Sequence, residues 1–197
     1  MLFYNRRYNS LTELVEGCQR RERKAQNAFY DRYQRKMLGI CRRYARTLSE
    51  AEDIFQEAFI KVFKKIDDLH TPESADSWVK SVIIRTALSY YERTTKKELM
   101  SAPIDLNVQD WDSGEFSPWG HVDIELVLKV LSDLPNGYRT IINLYLIDGY
   151  NHTEIAEMLG IEPSTSKSQL MRGKKLLMKK LQETGILKDE RIERGKL

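Results

Sequence analysis

The sequence predicts an all-α chain of two helical domains joined by an acidic linker, and three observations carry that expectation. Apolar residues recur mostly at intervals of three and four with no sustained two-residue alternation, only five prolines interrupt 197 residues, and the charge falls into blocks. Residues 1–97 hold 20 Lys and Arg against 13 Asp and Glu, residues 98–128 hold seven acids and no base, and residues 129–197 hold 12 bases against nine acids. The net charge of +3 therefore conceals two basic modules around an acidic connector. Such a length closes two small cores. No apolar run reaches the roughly 18 residues of a membrane span, and MLFYNRRYNS lacks the apolar stretch of a secretory leader, so a cytoplasmic protein without membrane insertion is expected. Cys18 and Cys41 lie far apart with no paired motif and read as buried thiols rather than a disulfide.

Residues 1–24 carry no motif and read as an N-terminal extension containing a short helix. The first domain is expected over 25–97. Phe29, Tyr33, Met37, Ile40, Cys41, Tyr44 and Leu48 follow helical spacing and form a core stripe. Ser49 with Glu52 three residues on reads as a capping box for a second helix, AEDIFQEAFIKVFKKI. In it Ile54, Phe55, Ala58, Phe59, Val62, Phe63 and Ile66 face inward and Asp53, Gln56, Glu57 and Lys61 face outward. Acids in a first turn suit the helix dipole, and no nearby His, Cys or glycine-rich loop completes a metal or acid–base site around them. A third helix, SADSWVKSVIIRTALSYYERTTKKE, turns Trp78, Val79, Val82, Ile83 and Ala87 inward, with Tyr91 extending that stripe. Its other side mixes Lys80, Arg85, Arg93, Lys96 and Lys97 with Tyr90, and cations interleaved with aromatics suit unpaired nucleic acid: rings stack on extruded bases while charges hold the backbone.

Residues 98–121 mix Pro, Gly, Ser and Asp with no helical period and read as a linker, in which Trp111, Phe116 and Trp119 suggest docking rather than plain spacing. The second domain is expected over 122–182, with a tail at 183–197. The stretch HTEIAEMLGIEPSTSKSQLMRGKKLLMKKL, from His152 to Leu181, reads as a helix-turn-helix. Ile155, Ala156 and Leu159 form an apolar face, Gly160 ends the helix, Ile161 plugs the corner and Pro163 opens the next helix. Between Pro163 and Gln182 stand six cations, namely Lys167, Arg172, Lys174, Lys175, Lys179 and Lys180, and no acid, as a phosphate-facing helix requires. Thr165, Ser168, Gln169 and Arg172 share one face, where Gln and Arg match adenine and guanine edges in a major groove.

Two blocks in this order and spacing, DIFQEAFIKVF with the Trp-led basic helix and then LPNGYRTIINLYLIDGYNHTEIAEMLGIEPSTSKSQLMRGKKLL, resemble the extracytoplasmic-function sigma factors of the sigma-70 family over residues 25–182. The second block resembles Bacteroidetes-type members. The resemblance implies a sigma-2 bundle that binds the beta-prime clamp of core RNA polymerase and opens the minus-10 element, and a sigma-4 helix-turn-helix that meets the beta flap and reads the minus-35 element. Its clamp face maps onto Asp53, Gln56 and Glu57. Promoter opening maps onto the loop from His70 to Ser77 and onto Lys80, Arg85, Ser89, Tyr90, Arg93, Lys96 and Lys97. Minus-35 reading maps onto Ser164, Thr165, Lys167, Ser168, Gln169, Arg172, Lys174 and Lys175. The linker acids Asp105, Asp110, Asp112 and Glu115 would thread the polymerase channel. Promoter DNA and an anti-sigma factor are the remaining implied partners. Arg85 and Ser89 stand where many members carry Asn and Asp. Gly173 replaces a frequent Ala and Ser166 a buried Val, both pointing to a less rigid second helix.

Neither a nucleophile–base pair nor a metal-ligand cluster is visible, and His70, His121 and His152 are isolated, so no catalysis, metal or cofactor is expected. Two rival functions are a helix-turn-helix transcription regulator, which has no use for the acidic face at Asp53, and a sigma mimic that sequesters anti-sigma factors, which has no use for six cations on the last helix.

Overall fold

The computed structural model describes residues 8, 10–95 and 124–184, and among these every regular element is helical. The chain divides into two compact units, residues 1–94 and 95–197. Lys96, Lys97, the linker acids Asp105, Asp110, Asp112 and Glu115, the aromatic residues between them and the tail beyond residue 184 lie outside the described residues.

The first unit contains α1 (Leu11–Gln19), α2 (Arg23–Tyr44), α3 (Leu48–Lys64) and α4 (Ala75–Thr95), with short 3-10 turns at Ile66–Asp68 and Pro72–Ser74. Residues 1–24, expected as an extension, include α1, which packs on α2 and both 3-10 turns and buries Leu14, Val15 and Cys18. At that crossing Gly17 leaves no room for a side chain: a Cβ there would lie 2.7 Å from Ala25 Cβ and 3.2 Å from Tyr8 Cε1. Gly17→Ala should therefore lower stability by about 2 kcal/mol despite the better helix propensity of alanine, because the two backbones must separate. A urea or thermal melt checks this, and an unchanged midpoint would show that the crossing relaxes freely. After α1 the chain turns through Arg21, whose φ of 62° is left-handed, and Arg21 and Glu22 N–H groups close back on Cys18 and Gly17 carbonyls. The Arg21 guanidinium pairs with Asp67, and Gln19 Nε2 donates to the Ile66 and Leu69 carbonyls, so α1 also holds the first 3-10 turn.

An aromatic cluster closes this core. Phe29 meets Tyr33 and Phe63 at centroid distances of 4.6 and 6.2 Å, while Tyr30 lies edge-on to Phe55 and Phe59. Tyr33 OH donates to Asp76 Oδ1 at 2.6 Å, and Tyr91 OH donates to Glu50 Oε2 at 2.9 Å, which ties α4 to α2 and α3. Cys18 and Cys41 are buried free thiols, both pushed up to about 12 mainly by burial and thus inert.

Several local expectations need correction. The cap of α3 is Thr47, whose hydroxyl accepts the Glu50 N–H while the Glu50 carboxylate accepts the Arg46 N–H, so the Ser49–Glu52 box does not form and the helix starts earlier. Leu48, expected in the core stripe of α2, opens α3 at 57 % exposure, because α2 ends at Tyr44 and the next helix points its first residue to solvent. Trp78, Val82 and Phe63 are half-buried rather than inward, the true stripe of α4 being Val79, Ile83, Ile84, Ala87, Leu88 and Tyr91. The loop from His70 to Ser77 is shorter than expected, since Ala75 already begins α4.

The second unit contains α5 (Ile124–Ser132), α6 (Asn136–Ile142) continued by a π turn (Asn143–Ile147), α7 (His152–Leu159) and α8 (Pro163–Glu183). Helices α5, α6 and α7 all pack on α8. Among the described residues Arg139 is the largest fully buried side chain, at 1 % exposure. Its Nη1 donates to the Ser132 carbonyl at 3.1 Å and its Nη2 to Asn136 Oδ1, fastening the end of α5 to the start of α6.

Candidate nucleic-acid interface

The turn between α7 and α8 forms as its residues dictate. The Asn151 side-chain oxygen caps α7 by accepting from the Thr153 and Glu154 N–H groups, and the Glu154 carboxylate accepts from the Asn151 N–H at 2.7 Å. Gly160 takes φ 63°, the left-handed state that glycine adopts at least cost, and the Ile161 N–H reaches back to the Ala156 carbonyl at 3.1 Å. Pro163 then opens α8. Ile155 and Ala156 are buried, while Leu159 and Ile161 are half-buried.

Helix α8 buries Ser166, Leu170, Gly173, Leu177 and Leu181. Of the reading candidates, Ser164, Lys167 and Arg172 are exposed, and Thr165, Ser168, Gln169, Lys174 and Lys175 half-buried. Ser168 Oγ donates to the Thr165 carbonyl at 3.0 Å, which turns its hydroxyl back along the helix. Met171, which the sequence reading did not single out, is 54 % exposed between the reading candidates Gln169 and Arg172 and is an apolar side chain of the kind that can meet a thymine methyl. The residues expected to loosen this helix have packing partners. A Cβ on Gly173 would stand 3.0 Å from Tyr138 Cβ and 3.1 Å from Ile142 Cδ1, so glycine permits the close crossing of α8 and α6. The Ser166 hydroxyl lies 2.8 Å from His152 Nδ1, and the His152 ring stacks on Tyr145 at 4.5 Å.

Burial, followed by the nearby Lys167 ammonium, holds His152 below its ordinary value. Its position in the first turn of α7 works the same way through the dipole, while Tyr145 covers one ring face and Glu154, the nearest acid on α7, is committed to the cap. The unfolded chain thus binds a proton that the folded ring resists. Stability of this unit should be level near neutrality and fall as pH drops below about 6.5, until the folded ring protonates as well. Urea midpoints from about pH 5 to 8 should show that slope, and His152→Asn should flatten it; an equal slope in the variant would assign it to other groups.

In the first unit, Asp53 and Gln56 are exposed on α3 together with Ile60, whose 56 % exposure extends the face with an apolar contact the sequence reading did not single out. Glu57 is different. Arg93 Nη2 lies 2.8 and 2.7 Å from its two carboxylate oxygens, and Lys61 Nζ lies 2.8 Å from Oε1. Partial burial raises the Glu57 carboxyl, yet the hydrogen bonds from Lys61 and Arg93 outweigh it and hold the group below its usual range. One candidate clamp residue and one candidate minus-10 residue thus share an ion pair. On α4, Arg85 is exposed, Lys80, Ser89 and Tyr90 are half-buried, and Arg93 Nε donates to the Ser89 carbonyl. Tyr90 is raised by desolvation and by the carboxylates of Glu50, Asp53 and Glu57, so it stays protonated beside this acidic face. Among the described residues no group of three or more His, Cys, Asp or Glu is placed to hold a metal, and no helix is long and apolar enough to cross a membrane.

Sequence comparison separates the same two units. Sigma-70 region 2 matches residues 29–97 and Sigma-70 region 4 matches residues 124–177. The chain belongs to the extracytoplasmic-function sigma factors of the sigma-70 family. This sigma factor is 25 % identical over 178 residues to the ECF RNA polymerase sigma-E factor of Haemophilus influenzae, covering 86 % of this chain and 94 % of that one. It is 26 % identical to the sigma-E factor of Escherichia coli K12, with 86 % and 93 % covered. The sigma factor RpoE of Bartonella quintana, solved with the anti-sigma factor NepR, superposes with a TM-score of 0.51 at 18 % identity, covering 78 % of this chain and 96 % of that one, and shares the fold. The sigma factor described here directs transcription initiation.

Proposed function

We propose that this sigma factor divides initiation among three faces. Asp53, Gln56, Glu57 and Ile60 of α3 bind the basic clamp of core RNA polymerase in the cytoplasm. The outward side of α4, with Arg85, Ser89, Tyr90 and Arg93, captures unpaired minus-10 bases, and Lys80, Lys96 and Lys97 hold the strand. The cationic outer face of α8, with Ser164, Thr165, Lys167, Ser168, Gln169, Met171 and Arg172, reads the minus-35 element, with Lys174 and Lys175 on phosphates. The linker acids Asp105, Asp110, Asp112 and Glu115 occupy a basic channel of the polymerase, and an anti-sigma factor withholds the protein from core enzyme. The chain makes no bonds itself. Base capture offsets an unstacking cost of about a few kcal/mol through pocket contacts.

The observation that carries this reading is the division of basic surface between two separately folded units, one presenting an adjacent acidic face and the other a helix-turn-helix. Start-site mapping on a genomic promoter pool, with core polymerase in the presence and absence of the protein, tests it. New starts should share a two-part motif. Absence of new starts despite DNA binding would favour a plain regulator.

A further inference from the structure

Within the reading of α8 as the minus-35 helix, we infer that His152 is a positioning residue for base recognition, setting the rotation of α8 through its hydrogen bond to Ser166. Ser166 is fully buried in the first turn of α8, and its sequence neighbours Thr165 and Lys167 are on the candidate reading surface. Its hydroxyl is held by His152 Nδ1 at 2.8 Å. The ring is itself fixed from both sides: its backbone belongs to the first turn of the capped helix α7, and its face stacks on Tyr145 with planes 21° apart. Tyr145 belongs to the π turn, which closes through the Asp148 N–H on the Asn143 carbonyl at 2.8 Å and the Tyr150 N–H on the Leu144 carbonyl at 2.9 Å. Three elements therefore converge on one hydroxyl at the start of α8.

A directed bond does there what an apolar contact does not. Leu170, Leu177 and Leu181 seat α8 by area, which tolerates small sliding and rotation, whereas a hydrogen bond weakens steeply with misalignment. Paired contacts from Gln169 or Arg172 to a base edge need placement to about 0.5 Å and 10–20°. A small turn of the helix about its axis would thus lower discrimination between bases more than affinity for phosphates, which tolerate displacement.

The test measures initiation by holoenzyme containing the full chain on a matched promoter and on one with a substituted minus-35 base. His152→Phe keeps the stack and volume but removes the bond, and Ser166→Ala removes the hydroxyl from a small buried site. Each should lower the matched-to-mismatched ratio about tenfold, the double variant no further than either single. His152→Asn, which restores a hydrogen-bonding atom near the Nδ1 position, should recover most of the ratio. An unchanged ratio in both singles, or an equal loss on both promoters, would overturn the inference and leave His152 a purely structural residue. Gln169→Ala and Arg172→Ala run beside them. If neither alters the ratio, the reading of α8 itself is wrong and the inference falls with it, a result distinct from failure of the His152 variants alone.

Discussion

Changing Asp53 and Gln56 together to Lys should reduce capture of core RNA polymerase, and with it promoter-dependent transcription, by about a hundredfold while the melting temperature hardly moves. Both side chains are exposed on α3, so their replacement disturbs no packing; the loss arises at the partner, where two favourable contacts become like-charge repulsions. Glu57 should behave differently. It is pinned by Arg93 and Lys61, and Glu57→Ala releases both cations as well as removing a carboxylate from the face. The ion pair is partly solvent-exposed and contributes at most about 1 kcal/mol of stability. Its larger role is to hold the Arg93 guanidinium close to α3. Glu57→Ala should therefore alter minus-10 preference as well as core affinity, whereas the Asp53 and Gln56 changes, which release no cation of α4, should act chiefly on core affinity. Affinity capture on immobilised core enzyme and transcription from templates differing only at minus-10 separate the two effects. Undiminished capture of the Asp53→Lys, Gln56→Lys protein would remove α3 from the clamp interface.

Arg139→Ala should destabilise the second unit by about 3–5 kcal/mol, enough to leave it largely unfolded at 37 °C. The guanidinium is buried and bonds the part-buried Ser132 carbonyl and the buried Asn136 side chain, so truncation strips a partner from each acceptor and opens a cavity where the stem had been. Arg139→Met refills most of the volume without the hydrogen bonds and should recover part of the loss. The order wild type, Met, Ala in thermal melts is the expected result. An Arg139→Ala midpoint close to wild type would mean that water or a neighbouring side chain replaces the guanidinium at little cost. Minus-35 recognition should fail in parallel with folding, because α6 forms the bed on which α8 lies.

The stripes of α2 and α3 were legible because their apolar residues keep helical spacing over many turns, and Phe29, Tyr33, Met37, Ile54 and Val62 are all buried. The helix-turn-helix was legible because a left-handed glycine, a first-turn proline and a cationic run free of acids from Pro163 to Gln182 each require a specific residue type. Boundaries were less so. Thr47 and Ser49 are both competent caps, and which one serves depends on where α2 releases the chain and where Glu50 finds the Arg46 N–H.

What the residues alone determined about this sigma factor was its helical class, its two modules, the helix that presents cations and the one that presents acids. These follow from periodicity and charge, which are local properties of the chain. Only the tertiary structure decided which polar groups are tied to one another. Glu57 and Arg93 read in sequence as members of separate faces, Ser166 as a substitution for valine and Gly173 as a weak point in a helix. Each owes its role to a neighbour distant in sequence: Glu57 holds Arg93 across 36 positions, and Ser166 meets His152 across 14. Burial and pairing arise when helices cross, and no single segment encodes the crossing.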